Sequence, residues 1–184
     1  MGDITQILAA AQAGDRQALD KLFHALYPEL KQLAHARLLR NAHDTLLNTT
    51  AVVHDCYLKL LQSDRLSVPD RARFFGYAAS VMRSIIVDAV RASHRERRGG
   101  GATHLPLATD LVDRLPQTED EILDVDAALV DLARLDPRLA RVVEMRYFGG
   151  MTEAEIAANL GVSDRTVRRD WEKARLLLAA ALRG

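Results

Sequence analysis

The stretch MTEAEIAANLGVSDRTVRRDWEKARLLLAAAL, residues 151–182, limits the possible folds more than any other part of the chain. Its pattern predicts two helices joined by a tight corner. Thr152, followed three residues later by Glu155, forms the S/T-x-x-E box in which each side chain satisfies the other's backbone donor. Ile156, Ala157 and Leu160 then recur at helical spacing, and Gly161 supplies the permissive backbone where that helix must stop. Ser163 is placed to cap a second helix, whose inward face is Val167, Trp171, Ala174 and Leu178. This is a helix-turn-helix pattern, with small Ala157 permitting a close crossing.

The charge on the second helix indicates its partner. Arg165, Thr166, Arg168 and Arg169 lie near its N-terminus and off the apolar face, with Lys173 a turn further on. A recognition helix presents side chains from such positions to base edges and phosphates in the major groove. A solvated helix would explain the arginines alone. The box, the glycine corner and the arginine cluster together predict DNA binding.

Composition excludes several other classes. A chain of 184 residues, 48% hydrophobic and 27% charged, is that of a folded globular protein of one domain or two small ones. Alanine, leucine and arginine dominate, and few segments alternate with a strand period, so the expected fold is all-α. The formal net charge is zero, yet residues 91–98 are strongly basic and 110–126 strongly acidic, so the blocks cancel in the total and not in space. A single cysteine, Cys56, excludes an internal disulfide framework and fits a reducing compartment. No run of about 18 apolar residues and no signal core occurs, which predicts a cytoplasmic chain without membrane insertion. His54 and Cys56 lie two apart, on different faces of a helix, and no second pair accompanies them, so no metal is expected. Without a phosphate loop, nucleophile elbow or H-E-x-x-H motif, no catalytic residue and no cofactor is assigned, and the chain is not read as an enzyme.

The remaining segments build cores. Residues 3–40 read as two helices, the first carrying Ile4, Ile7, Leu8 and Ala11, the second capped by Asp15 and striped by Leu19, Leu22, Phe23, Leu26, Leu30 and Leu33. Pro28 predicts a kink or break in that second helix. A third helix from about Thr49 to Leu61 turns Val52, Val53, Cys56 and Leu60 inward. A long helix from Arg73 to Arg95 buries Ala78, Val81, Met82, Ile85, Ile86 and Ala89, while Arg83, Ser84, Asp88, Arg91 and Arg95 project from its other side. The triple glycine at 99–101 marks a flexible linker. A helix near Glu121–Leu135 follows, and Pro137 suits the first turn of the next.

Two stretches in this order resemble the halves of a bacterial extracytoplasmic-function (ECF) RNA polymerase sigma factor, a group IV sigma factor. FFGYAASVMRSIIVDAVRASHRERR is similar to the family's promoter-melting and −10-reading helix, with Asp88 and Arg91 at its Asp-x-x-Arg pair and Tyr77 where Trp is commoner. LARVVEMRYFGGMTEAEIAANLGVSDRTVRRDWEKAR is similar to its −35-reading domain. YLKLL, the triple glycine and VRRDWEKAR are closer to a divergent subgroup. The resemblance implies a region 2-like domain over 1–98, a linker over 99–120 and a region 4-like domain over 121–184. It implies core RNA polymerase and promoter DNA as partners, with an anti-sigma factor as a further candidate. Arg165, Thr166, Arg168, Arg169 and Lys173 would then meet the −35 duplex. Arg83, Ser84, Asp88, Arg91 and Arg95 would meet the melted −10 strand, with the loop Ser67–Arg73 as a base pocket.

One departure from the family stands out. Its third helix usually carries an acidic D-A-E-D-L-x-Q-E cluster that docks on a basic coiled coil of the polymerase. Here Asn48, Thr49, Thr50, Ala51, Val52, Val53, His54 and Asp55 occupy the stretch, leaving Asp55 as the one usual acid, with Thr50 at a glutamate position. Phosphorylation of Thr50, or second of Thr49, by a serine/threonine kinase would restore about −1.5 to −2 charges. Thr50, Val53, Asp55 and Tyr57 are therefore the expected polymerase contacts. Two rivals remain at this point. One is a conventional helix-turn-helix regulator with a ligand-sensing or dimerising N-terminal half. The other is an adaptor that presents Val52, Val53 and Tyr57 to a partner helix.

Overall fold

Amphipathic stripes set every element of the computed structural model, which describes residues 2–37, 49–62, 70–96 and 118–181. In chain order these form α1 (Gly2–Gln12), α2 (Arg16–Arg37), α3 (Thr49–Gln62), α4 (Arg71–Glu96), α5 (Glu119–Leu135), α6 (Pro137–Tyr147), α7 (Glu153–Leu160) and α8 (Asp164–Ala181). No strand occurs among the described residues, so the fold is all-α as expected. The triple glycine and most of the predicted linker lie outside the described residues.

Gly14 takes a positive φ of 91° to turn the chain between α1 and α2. The Asp15 carboxylate then accepts the backbone N–H of Gln17 and Ala18 at 2.9 and 3.2 Å, capping α2. Leu22, Leu26 and Leu30 are fully buried along its inner stripe. Of the kink or break expected at Pro28, the break does not occur: α2 continues through it. The ring lies on the exposed side, and His24, whose carbonyl loses its donor, is exposed too. Water can satisfy that carbonyl, so the packed leucines hold the helix through the gap.

On α3, Val52, Val53 and Cys56 are buried as expected. Tyr57 is half-buried, packs on Phe23 with ring centroids 4.5 Å apart and donates its hydroxyl to Asp20. That acceptor carboxylate pushes the phenol above its ordinary pKa, because it favours the protonated donor.

Helix α4 departs most from the sequence reading. The predicted face of Ala78, Val81, Met82, Ile85 and Ile86 is buried, but so are Ala79, Val87 and Val90. A helix apolar on both sides is covered on both sides. Accordingly α4 packs on α1 and α3 and also on α5, α6 and α7. The two helical groups share one continuous core that runs from Leu8 through Met82 to Leu178.

The helix-turn-helix forms as its sequence requires. The Glu155 N–H donates to Thr152 Oγ1 at 3.3 Å, and the Thr152 N–H donates to Glu155 Oε2 at 2.8 Å. Gly161 adopts the left-handed conformation at φ 67°, where Ala or larger is strained. Ser163 Oγ accepts the Thr166 N–H at 3.3 Å and starts α8. Helix α6 fixes this unit through three arginines. Arg138 pairs with buried Asp170 of α8 at 2.8 Å. Arg141 donates to Asn159 of α7 at 3.1 Å. Arg146 reaches Glu153 at 3.5 Å and lies over the Trp171 ring, 4.4 Å from its centroid.

Candidate nucleic-acid and polymerase interfaces

The face expected to grip duplex DNA is continuous and open. Arg165, Arg168, Arg169 and Lys173 are all exposed on α8, opposite buried Val167, Trp171, Ala174 and Leu178. Thr166 is half-buried, with its hydroxyl 3.0 Å from that of Ser163, so it serves the cap as well as the face. Arg168 is held by Glu153 of α7, Nη2 to Oε2 at 2.9 Å and Nε at 3.3 Å. The bond to Arg168 holds the Glu153 carboxyl below its ordinary pKa, and Glu153 in turn raises the guanidinium. Lys173 lies 3.7 Å from Asp136, the cap of α6. The helix therefore presents four cations at its solvent side, three of them with a carboxylate within 4 Å: Arg168 at Glu153, Arg169 at Asp170 and Lys173 at Asp136.

The α4 residues do not form one free surface. Ser84, Asp88, Arg91 and Arg95 follow one another at helical spacing and are all exposed. Ser84 accepts from Lys59 of α3 at 2.8 Å, and Lys59 lies 3.9 Å from Asp88. Arg83 is turned away from them, its side chain 18% exposed. It donates through Nε to Asp126 Oδ1 at 2.8 Å, through Nη2 to the Asp126 carbonyl at 3.2 Å and through Nη1 to Glu144 at 3.0 Å. Arg91 donates to the other Asp126 oxygen at 3.0 Å. Of the loop offered as a base pocket, 67–69 lie outside the described residues. Asp70 caps α4, accepting the Arg73 N–H at 2.8 Å, while Arg71 pairs with Glu29 of α2 and packs on Phe75.

On α3, Thr50 and Asp55 are exposed near the helix start, and Thr49 is half-buried. Val53 is 1% exposed and offers nothing to a partner, so its assignment as a polymerase contact is corrected. The apolar stripe spacing that turned it inward already implied this. Burial of Val52 and Val53 likewise removes the adaptor reading, which needed both at the surface. Among the described residues no His, Cys, Asp or Glu cluster has metal-holding geometry, and no helix is long and apolar enough to cross a membrane.

Sequence reasoning missed Asp126, Glu144, Asn159 and Gly76, all of which join α4 to the C-terminal helices. The signal was available in α4 itself, where Gly76, Ala79, Val87 and Val90 lie off the single face assigned to its core.

Comparison with known proteins agrees with this architecture. The family model for ECF sigma factors matches residues 1–184. The chain is 32% identical over 183 residues to the ECF RNA polymerase sigma factor SigM of Mycobacterium tuberculosis, in strain H37Rv and in strain Erdman, covering 96% of this chain and 83% of the relative. With a helix-turn-helix formed as its sequence requires and a match along its whole length, the chain belongs to the ECF sigma factor family and directs transcription initiation.

Proposed function

We propose that α8 meets the −35 duplex through Arg165, Thr166, Arg168, Arg169 and Lys173. The α4 surface of Arg83, Ser84, Asp88, Arg91 and Arg95 follows the melted −10 strand. Docking on core RNA polymerase uses α3 through Thr50, Asp55 and Tyr57. The observation that carries the reading is the exposed cation row on the second helix of a capped helix-turn-helix. Phosphate contacts give such a row affinity and register, and the N-terminal residues of the helix are the ones aimed at base edges. Residues 1–98 and 121–184 act as the two functional units and 99–120 as their tether. The chain works in the cytoplasm, on promoter DNA.

Docking is controlled at Thr50 by a serine/threonine kinase. Thr50 is exposed in the first turn of α3, where the helix dipole favours an anion. A phosphate there restores charge to a helix start that otherwise carries Asp55 alone and accepts paired arginine bonds from the polymerase. Reconstitution with core polymerase tests both levels. Specific transcripts should appear, and Thr50→Glu should bind core about tenfold more tightly than the unmodified chain, the size of one well-made charge-assisted contact. Equal binding by the two removes the switch. Tight operator binding without polymerase, and no transcripts with it, would instead mark a conventional regulator with a sensing N-terminal half.

A further inference from the structure

The seam between α2 and α3 carries aromatic rings that the core does not fully take up. Phe74, Phe75, Tyr147, Phe148 and Trp171 are buried, whereas Phe23, Tyr27, Tyr57 and Tyr77 stay half-buried. Phe23, Tyr27 and Tyr57 adjoin in one row. Phe23 meets Tyr27 edge-on at 5.7 Å between centroids and Tyr57 at 4.5 Å, and exposed His54 lies 6.4 Å beyond Tyr57. All three spacings fall in the range where rings attract one another.

Asp20 is tied into this row. It is exposed on α2, one turn before Phe23, and accepts the Tyr57 hydroxyl through Oδ1. That hydroxyl is engaged within the chain, so Tyr57 offers a partner ring surface rather than a donor. Held by Asp20 and Phe23, the ring has little freedom left to lose when something docks on it. Lys21 follows Asp20 but lies about 100° round the helix from it, off the row.

Ring and charge together select the partner. An aromatic face carries negative potential, and the exposed carboxylate beside it adds a full negative charge. This combination suits a guanidinium, whose planar group both stacks on rings and pairs with carboxylates. A purely apolar partner would bury the Asp20 charge without a counter-ion, and an anionic one would be repelled by it.

We propose that Asp20, Phe23, Tyr27 and Tyr57 form an arginine-binding edge, through which α2 joins α3 in docking. The occupant is an arginine-bearing helix of core RNA polymerase. Tyr57 belongs to both surfaces, which makes the edge continuous with the docking stretch assigned to α3. The edge supplies negative potential beside a helix whose one acid is Asp55, and it does so before any phosphate is placed on Thr50. The inference rests on the assignment of α3 to polymerase docking, and the two fail separately.

Titration of the labelled, unphosphorylated full chain with core polymerase tests the edge. Asp20→Asn keeps an acceptor for the Tyr57 hydroxyl but removes the charge, and should weaken binding about fivefold. Phe23→Leu keeps an apolar side chain against the core but removes the ring face, and should weaken binding about two- to fivefold. Replacing the Phe23 ring by its trifluorinated analogue keeps the ring shape and withdraws its negative face, so the loss should match that of Phe23→Leu. Helix content and duplex binding through α8 should stay at wild-type values in all three chains, which separates docking from folding. Full affinity in Asp20→Asn, or in the fluorinated chain, overturns the arginine-binding edge. Asp55→Asn, on α3 and outside the edge, tests the docking assignment itself. A loss there with none in the edge variants removes the edge alone, whereas no loss in any variant removes α3 as the docking helix as well.

Discussion

The cation row on α8 makes a quantitative demand on DNA binding. Arg165, Arg168, Arg169 and Lys173 are exposed whether or not the halves are packed together, so the free chain should bind duplex of arbitrary sequence through them. Each phosphate neutralised contributes about −0.9 to the slope of log affinity against log salt, so four give about −3.6. Raising salt from 50 to 200 mM should then weaken binding roughly 150-fold. Arg168→Ala should reduce the slope to about −2.7 and the loss over the same range to roughly 40-fold. Glu153 refines the expectation. It competes with phosphate for Arg168 at 2.9 Å, yet the pair is solvent-exposed and therefore weak. Glu153→Gln should tighten duplex binding by no more than about fivefold, because a pair that weak restrains the guanidinium little. Fluorescence anisotropy with a labelled 30-base-pair duplex across the salt series measures all three chains. A slope unchanged by Arg168→Ala would refute a phosphate role for that residue. A wild-type slope near zero would refute the α8 face altogether.

Three further outcomes follow from the packing. Burial pushes the Cys56 thiol from its ordinary 9.0 up to about 12, so the folded chain should resist iodoacetamide at pH 8.5 and react on unfolding. Because the folded pKa is raised, its stability contribution is intact below pH 9 and lost as pH climbs toward 12, by about 1.4 kcal/mol per unit, which alkaline urea melts would detect. Gly161→Ala meets no neighbour but forces a side chain into the left-handed region, and should cost about 1–2 kcal/mol in denaturant titration; a neutral result would mean the corner relaxes. Ile156→Ala empties a fully buried site and should cost about 2–5 kcal/mol, followed by fluorescence of Trp171, the one tryptophan in the chain.

What could be read in the sequence was what neighbours along the chain decide. Thr152, Glu155, Gly161 and Ser163 act on backbone groups within four residues, so their spacing carries the whole instruction, and the helix-turn-helix forms accordingly. Pro28 does not end α2 because its local penalty is outweighed by Leu22, Leu26 and Leu30, whose burial depends on distant partners. Val53 was assigned by its place in the family's docking stretch against its own apolar spacing, and the spacing prevailed. The contact of Asp126 with α4 was illegible for a different reason. Asp126 lies 43 residues from Arg83, and nothing in an acidic run says which arginine it will meet. The predicted helix Glu121–Leu135 contained Asp126 but gave it no partner, and the structure buries it to 7% exposure. The second apolar side of α4 was visible in principle, and it should have signalled that the helix had neighbours on both flanks.

The three arginines of α6 have an evolutionary implication. Arg138, Arg141 and Arg146 each anchor to α7 or α8 from behind, through Asp170, Asn159, and Glu153 with Trp171. If α8 meets the −35 duplex as proposed, they would together set the tilt at which it enters the groove, while the base-facing side chains would set only what is read at that tilt. Substituting one of these anchors would re-aim the reading helix without discharging it. Promoter preference in such a protein can thus drift through positions that DNA never meets, with every groove-facing residue retained.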